Sequence, residues 1–223
     1  MESIQPVVDR MTAIADALPD SDGVARFNAL YLAVTEEVAA QASAGKFEDE
    51  ETLSLLDVVF ADLYFAAYEA STTGAKVPRA WRPLFEARER RRVAPIQFAL
   101  AGMNAHINHD LVLAIAETCA RRGMRVERDS AFHRDYVAVN RLLELVEDRI
   151  KAEFLTGELH LADEALGRLD DVLAMWSVAR ARDAAWDGAH TLTHLPEFAR
   201  ERYLDALAST VGLAGRGLLV PVL

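Results

Sequence analysis

From Ala94 to Ala116 the chain carries one charged side chain, Asp110, in a stretch about as long as a membrane-spanning helix. Its middle, however, holds Asn104, His106, Asn108, His109 and Asp110, and that much polarity is costly in lipid. Wound as a helix, the stretch shows Leu100, Ile107, Leu111 and Ile115 on one side and Ala99, Met103, Leu113 and Ala116 on another. A helix that is apolar nearly all round belongs in the middle of a protein. Pro95 suits its first turn, where the missing N–H has no intrahelical partner. Gly123 ends it, after Arg121 and Arg122, whose charges complement a C-terminal helix dipole. The sequence thus predicts a buried central helix over about 95–122, which the rest of the chain must wrap.

The wrapping segments are helical too. Apolar residues recur three and four apart almost everywhere, and no run alternates as a strand would. Helices are predicted from Ile4 to Leu18, stopped by Pro19, and from Val24 to Ala42, after the turn Asp20-Ser21-Asp22-Gly23. Others are predicted from Asp49 to Ser71, closed at Gly74, and over a short span opened by Pro78 that includes Trp81 and Phe85. After the central helix, Asp129 or Ser130 caps a helix from Ala131 to about Phe154, broken at Thr156-Gly157. A long helix is expected from Ala162 to about His190, and a last one from Pro196. The tail Gly217 to Leu223 has no charged residue and is too apolar to be left in water. With Pro221 in it, an extended segment is expected, seated in a groove of its own domain or across a homodimer interface. No repeat, low-complexity segment or linker interrupts the pattern. The expected fold is all-α: one domain over residues 1–223, a multi-helix bundle of about 7–8 helices around the central one.

Charge and cysteine content exclude several partners. The net charge of −11 argues against nucleic acid or an anionic membrane, which call for surplus Lys and Arg. Arg88, Arg90, Arg91 and Arg92 do cluster, but Glu86 and Glu89 flank them, as in a solvated helix end. Cys119 is the only cysteine, so neither an internal disulfide nor a cysteine-based zinc site can form. The chain opens with Met1-Glu2-Ser3 and runs into an amphipathic pattern with no secretory signal, which makes the cytoplasm the expected address.

The chemistry is concentrated on the central helix. Gly102, His106, His109, Asp110 and Leu113 stand three and four apart, so two imidazoles and a carboxylate share one stripe of a buried helix. A buried carboxylate has to be paired, protonated or bound to a metal. Gly102, one turn before His106, leaves room for a ligand or for a closely approaching helix. Three readings stay open. His106, His109 and Asp110 can supply ligands to a divalent metal ion. Alternatively His106 or His109 is a general acid or base oriented by the carboxylate, or the cluster is a satisfied network that only fixes packing. The partners expected from other helices are Asp57, in a stripe with Leu53, Phe60 and Tyr64, and also Asp135, Asn140 and Asp183. Tyr31, Asp57, Phe60, Tyr64, Trp81, Arg182 and Trp186 are the expected binding residues of an apolar pocket with the His/Asp cluster as its polar floor.

These residues resemble a mainly actinobacterial, hence bacterial, family of all-helical proteins known only as a domain of unknown function. The likeness covers most of the chain. It rests on Asp22-Gly23 with Phe27 and Tyr31, on Phe60 and Tyr64, on Trp81, and on the run Gly102-Met103-Asn104-Ala105-His106-Ile107-Asn108-His109-Asp110-Leu111. Asp135, Asn140, Arg182 and Trp186 complete it. The run Gly102–Leu111 is its specific part. The resemblance implies an all-helical fold and marks His106, His109 and Asp110, but carries no reaction. A more distant similarity, to all-helical zinc-dependent phospholipases and nucleases, is analogy alone, because their N-terminal Trp ligand and Glu-containing motifs are missing here.

The expected function is that of an enzyme, of hydrolase or lyase type, acting on a small, largely apolar organic molecule held between helices. His106, His109 and Asp110 would be its acid–base or metal centre. The competing readings are a small-molecule binding protein without chemistry and a helical interaction module with a structural polar core.

Overall fold

The computed structural model describes residues 4–156 and 177–221. Helix α1, Gln5–Ala17, starts on Pro6, and α2, Gly23–Ser43, starts where the Asp22 carboxylate accepts the Val24 N–H at 2.7 Å. The other Asp22 oxygen takes the Arg88 Nε at 2.7 Å and so ties the loop after α4 to the start of α2. Asp49 caps α3, Glu50–Thr73, and Gly74 ends it with φ of 75°, a left-handed turn that glycine adopts without penalty. The short α4, Arg82–Ala87, follows Trp81.

The central helix forms as expected, but not as one regular α-helix. Its first half is α5, Pro95–Ala105, its second half α6, Leu111–Arg121, and between them His106–Asp110 wind as a π-helical turn. In that turn the Leu111 N–H bonds back to the His106 carbonyl, five residues away rather than four. Wider turns of this kind occur mostly as single-turn insertions in α-helices, frequently at functional sites. Helices α2 and α9, Glu197–Leu218, pack on α5, while α3 and α8, Val178–His194, pack on α6. The approach of α2 is close because Gly102 has no side chain: a Cβ there would lie 2.4 Å from the Phe27 ring. The room beside His106 is therefore filled by a neighbouring helix.

Two expectations need correction. A continuous helix from Ala162 to His190 does not form, because Ser177 is extended (φ −133°, ψ 112°) and its hydroxyl accepts the Arg180 N–H to start α8. Residues 157–176, including the predicted break at Gly157, lie outside the described residues. The C-terminal tail is also less extended than expected, since α9 continues through Gly215 and Gly217 to Leu218. Beyond it the Gln97 amide donates to the carbonyls of Leu218 and Val220, each at 2.7 Å. Leu219 is buried and Val220 exposed, while Val222 and Leu223 lie outside the described residues. Between Thr156 and Ser177 nothing is described, so α7, Ala131–Thr156, enters the packing below only through its first half. No helix among the described residues is long and apolar enough to cross a membrane.

Candidate active site

Asp110 is 2% exposed, and its carboxylate is the hub of the site. One oxygen, Oδ2, accepts the Trp81 indole N–H at 2.8 Å and faces Nδ1 of His106 at 3.1 Å. The other, Oδ1, faces Nδ1 of His109 at 2.7 Å. Trp81 comes from the turn before α4, so a remote segment closes the network. Burial alone would raise the Asp110 pKa, but the hydrogen bonds and charges of His106 and His109 outweigh it and hold the carboxyl below its ordinary value. The indole can only donate, which favours the same ionised form. With Asp110 ionised, the network assigns a proton to Nδ1 of both imidazoles.

That assignment leaves Nε2 of His106 as a bare acceptor. It is buried and has no hydrogen-bond partner among the described residues. Burial, partly opposed by Asp110, lowers the His106 pKa, so the ring is neutral at pH 7. The ring is also held still. Phe60 stacks on it with ring centres 3.5 Å apart and planes 6° from parallel, and Tyr31 meets its edge at 4.4 Å. Tyr64 stands further back at 6.2 Å, its hydroxyl donating to Asn28, whose amide in turn donates to the Met11 carbonyl.

His106 forms part of the wall of a cavity of about 80 Å³ between α2, α3, the central helix, α7 and α8. The wall is mostly aliphatic. Its polar members include Tyr31, Asp57, His106 and Arg182. Oδ2 of Asp57 is sealed from water without a hydrogen-bond partner. Burial pushes the Asp57 pKa up to about 7, against the opposing pull of Arg182. Burial also raises the Tyr31 hydroxyl well above its usual value, with Asp57 and Asp110 adding to the effect. Arg182, 6% exposed, donates through Nε to Asn140 at 2.7 Å and through Nη2 to the Tyr136 carbonyl at 2.8 Å, and its guanidinium lies over the Tyr136 ring.

Tyr31, Asp57, Phe60, His106 and Arg182 thus meet at one cavity as the sequence suggests. Tyr64 and Trp81 stand behind His106 and support it without lining the cavity. Trp186 is elsewhere, packed against Phe132, His133 and Tyr136. His109 reaches Asp110 but not the cavity. Asp135 instead accepts the backbone N–H groups of Glu48 and Asp49 ahead of α3, and Asp183 joins Asp187 on Arg128 at the surface. Sequence reasoning misses several contributors, Met103 and Asn28 among them. Met103 lines the cavity, and Asn28 anchors Tyr64 from a wholly buried position inside the apolar stripe of α2, a signal the sequence does carry. Both imidazoles turn Nδ1 to one carboxylate, and no group of three or more His, Cys, Asp or Glu among the described residues is placed to hold a metal ion.

The class this defines is an all-helical protein with a buried Asp–His pair opening on an apolar cavity. Residues 4–221 match the model of DUF5995, a family of unknown function, and the chain belongs to that family. No curated protein and no solved structure is detectably similar to it.

Proposed function

We propose that this protein is an enzyme that binds a small, largely apolar organic molecule in the cavity and moves a proton on it, with Nε2 of His106 as the base. The observation that carries this reading is the buried, unpartnered Nε2 in an apolar wall, on a ring whose Nδ1 is held by Asp110. An imidazole in that state accepts a proton through Nε2, and the ionised Asp110 stabilises the imidazolium that results. Asp57, sharing the cavity with a pKa near neutrality, supplies a proton to an oxygen of the bound molecule. In the lyase case His106 takes a proton from carbon, the C–H electrons form a new double bond, and the neighbouring C–O bond breaks as Asp57 protonates its oxygen, which leaves as water. In the hydrolase case His106 takes a proton from water, the resulting hydroxide bonds to an ester carbonyl carbon, and the ester C–O bond breaks as the alcohol leaves with the Asp57 proton. His109 and Trp81 position Asp110.

A panel of compounds tests this without the substrate being identified first. Small ketones, aldehydes and esters are incubated with the protein in D2O, and loss of acidic C–H signals and ester cleavage are followed by proton NMR. His106→Gln is expected to lower the rate on any active compound by about 10²–10⁴, the usual contribution of a general base. Equal rates for the parent protein and His106→Gln across the panel would overturn the reading.

A further inference from the structure

The cavity joins a buried cation to a half-buried carboxyl, one of whose oxygens is sealed from water, without pairing them. Arg182 is more than nine-tenths buried and borders the cavity. Its hydrogen bonds go to neutral acceptors, the Asn140 amide oxygen and the Tyr136 carbonyl. Among the residues whose side chains are described, no carboxylate lies within ion-pair distance of it. A guanidinium so deep in a protein calls for an anion. Asp57, the acidic side chain in the same wall, leaves Oδ2 without a partner instead.

Resting on the proposed reading of this cavity as a ligand site, we infer that its substrate is a small monocarboxylate, with the carboxylate on Arg182 and the apolar body among the aliphatic side chains near His106. Arg suits such a ligand because its planar fork matches a carboxylate and stays charged at every relevant pH. The size of the cavity, about 80 Å³, favours acids of a few carbons. An engineered apolar cavity of about 150 Å³ takes benzene.

The bound anion then makes its own demand on Asp57. Two carboxylates at one site do not both ionise, so the ligand binds the form in which Asp57 keeps its proton and donates it to the ligand. The groups facing Asp57 are Tyr31 from α2, His106 from the central helix with Asp110 behind it, and Arg182 from α8. The parts of α6 and α7 that line the cavity are apolar, Leu111 from the one and Val139 and Leu143 from the other. Between pH 6 and pH 8 Tyr31 stays neutral and Asp110 stays ionised, and burial lowers the His106 pKa so that this ring is neutral from pH 7 upward. Asp57, at about 7, titrates across the window.

The experiment compares acetate, propionate and isovalerate, each with its own amide, as ligands of the full chain at pH 6 and pH 8, with Kd from saturation-transfer NMR. At pH 6 at least one acid is expected to bind tenfold or more tighter than its amide. Its Kd should rise about tenfold at pH 8, as the protonated fraction of Asp57 falls, while the amides do not change. Asp57→Asn keeps the shape of the side chain and should abolish the rise. Amides that bind as well as their acids at pH 6 would overturn the carboxylate inference and leave the cavity reading standing. An acid whose Kd is the same at both pH values would overturn the part given to Asp57. Absence of binding by every member at both pH values would overturn both the inference and the reading beneath it.

Discussion

Asp57→Asn should stabilise the ligand-free protein, and by an amount that grows with pH. In the unfolded chain an Asp carboxyl titrates near 3.9, whereas in the fold Asp57 titrates at about 7 because burial disfavours its charge. The folded state therefore binds the proton more tightly, and between these two values it holds more protons than the unfolded state. Stability must then fall as pH rises through that window and level off above it. The full difference corresponds to roughly 4 kcal/mol at about 1.4 kcal/mol per pH unit, an upper figure for a residue that keeps some exposure. About 1.5 kcal/mol of it is already lost at pH 5, leaving a further drop of about 2–3 kcal/mol between pH 5 and pH 8. Asn cannot ionise and escapes that drop. Urea melts of both proteins at pH 5, 6, 7 and 8 measure the difference directly. A stability difference that stays constant from pH 5 to pH 8 would refute the argument, because it would mean that Arg182 compensates the Asp57 charge fully in the fold.

Two further outcomes follow from the hub and its notch. Asp110→Ala removes the acceptor of Trp81, His106 and His109 and should cost about 3–5 kcal/mol, whereas His106→Ala leaves Asp110 two donors and should cost at least about 1 kcal/mol less by urea melt; equal costs would show that the carboxylate is not the centre of the network. Gly102→Ala places a Cβ 2.4 Å from the Phe27 ring, and a thermal melt should register a loss of about 1–3 kcal/mol from overpacking, with an unchanged Tm showing that α2 can simply move away.

The all-helical fold is legible because burial imposes a period that the chain repeats in nearly every segment. A helix polar on one side needs a core, and a helix apolar on all sides must be inside one, so the pattern by itself puts Pro95–Arg121 at the centre. The π turn leaves no such mark. The apolar residues around it keep the three- and four-residue spacing of an α-helix, and the bond from the Leu111 N–H to the His106 carbonyl that makes the turn wider is not written in that spacing. Ser177 is the opposite case. A Ser able to cap is present in the sequence, but the apolar stripe of Trp176 and Trp186 reads straight through it, and periodicity masks the cap. The tail misleads for a related reason: Gly215 and Gly217 suggest the end of a helix, yet Gly215 packs against Pro83 and α9 continues past it to Leu218.

The site is half legible for reasons that separate local from remote chemistry. His106 and Asp110 are four apart, a spacing that points to one helix face in the sequence, although the turn that holds them is π-helical. Asp57, Phe60 and Tyr31 belong to amphipathic stripes, which point to a core without saying which part of it stays open. Trp81 can be placed near the centre as an apolar ring, but its indole N–H meets a carboxylate 29 residues away, and no periodicity encodes that meeting. This donor joins His106 and His109, whose hydrogen bonds and charges hold Asp110 ionised in the interior. An ionised Asp110 places the His106 proton on Nδ1 and leaves Nε2 without a partner. The base proposed for His106 therefore rests on a pair that the helix brings together and on a third donor that only the fold supplies.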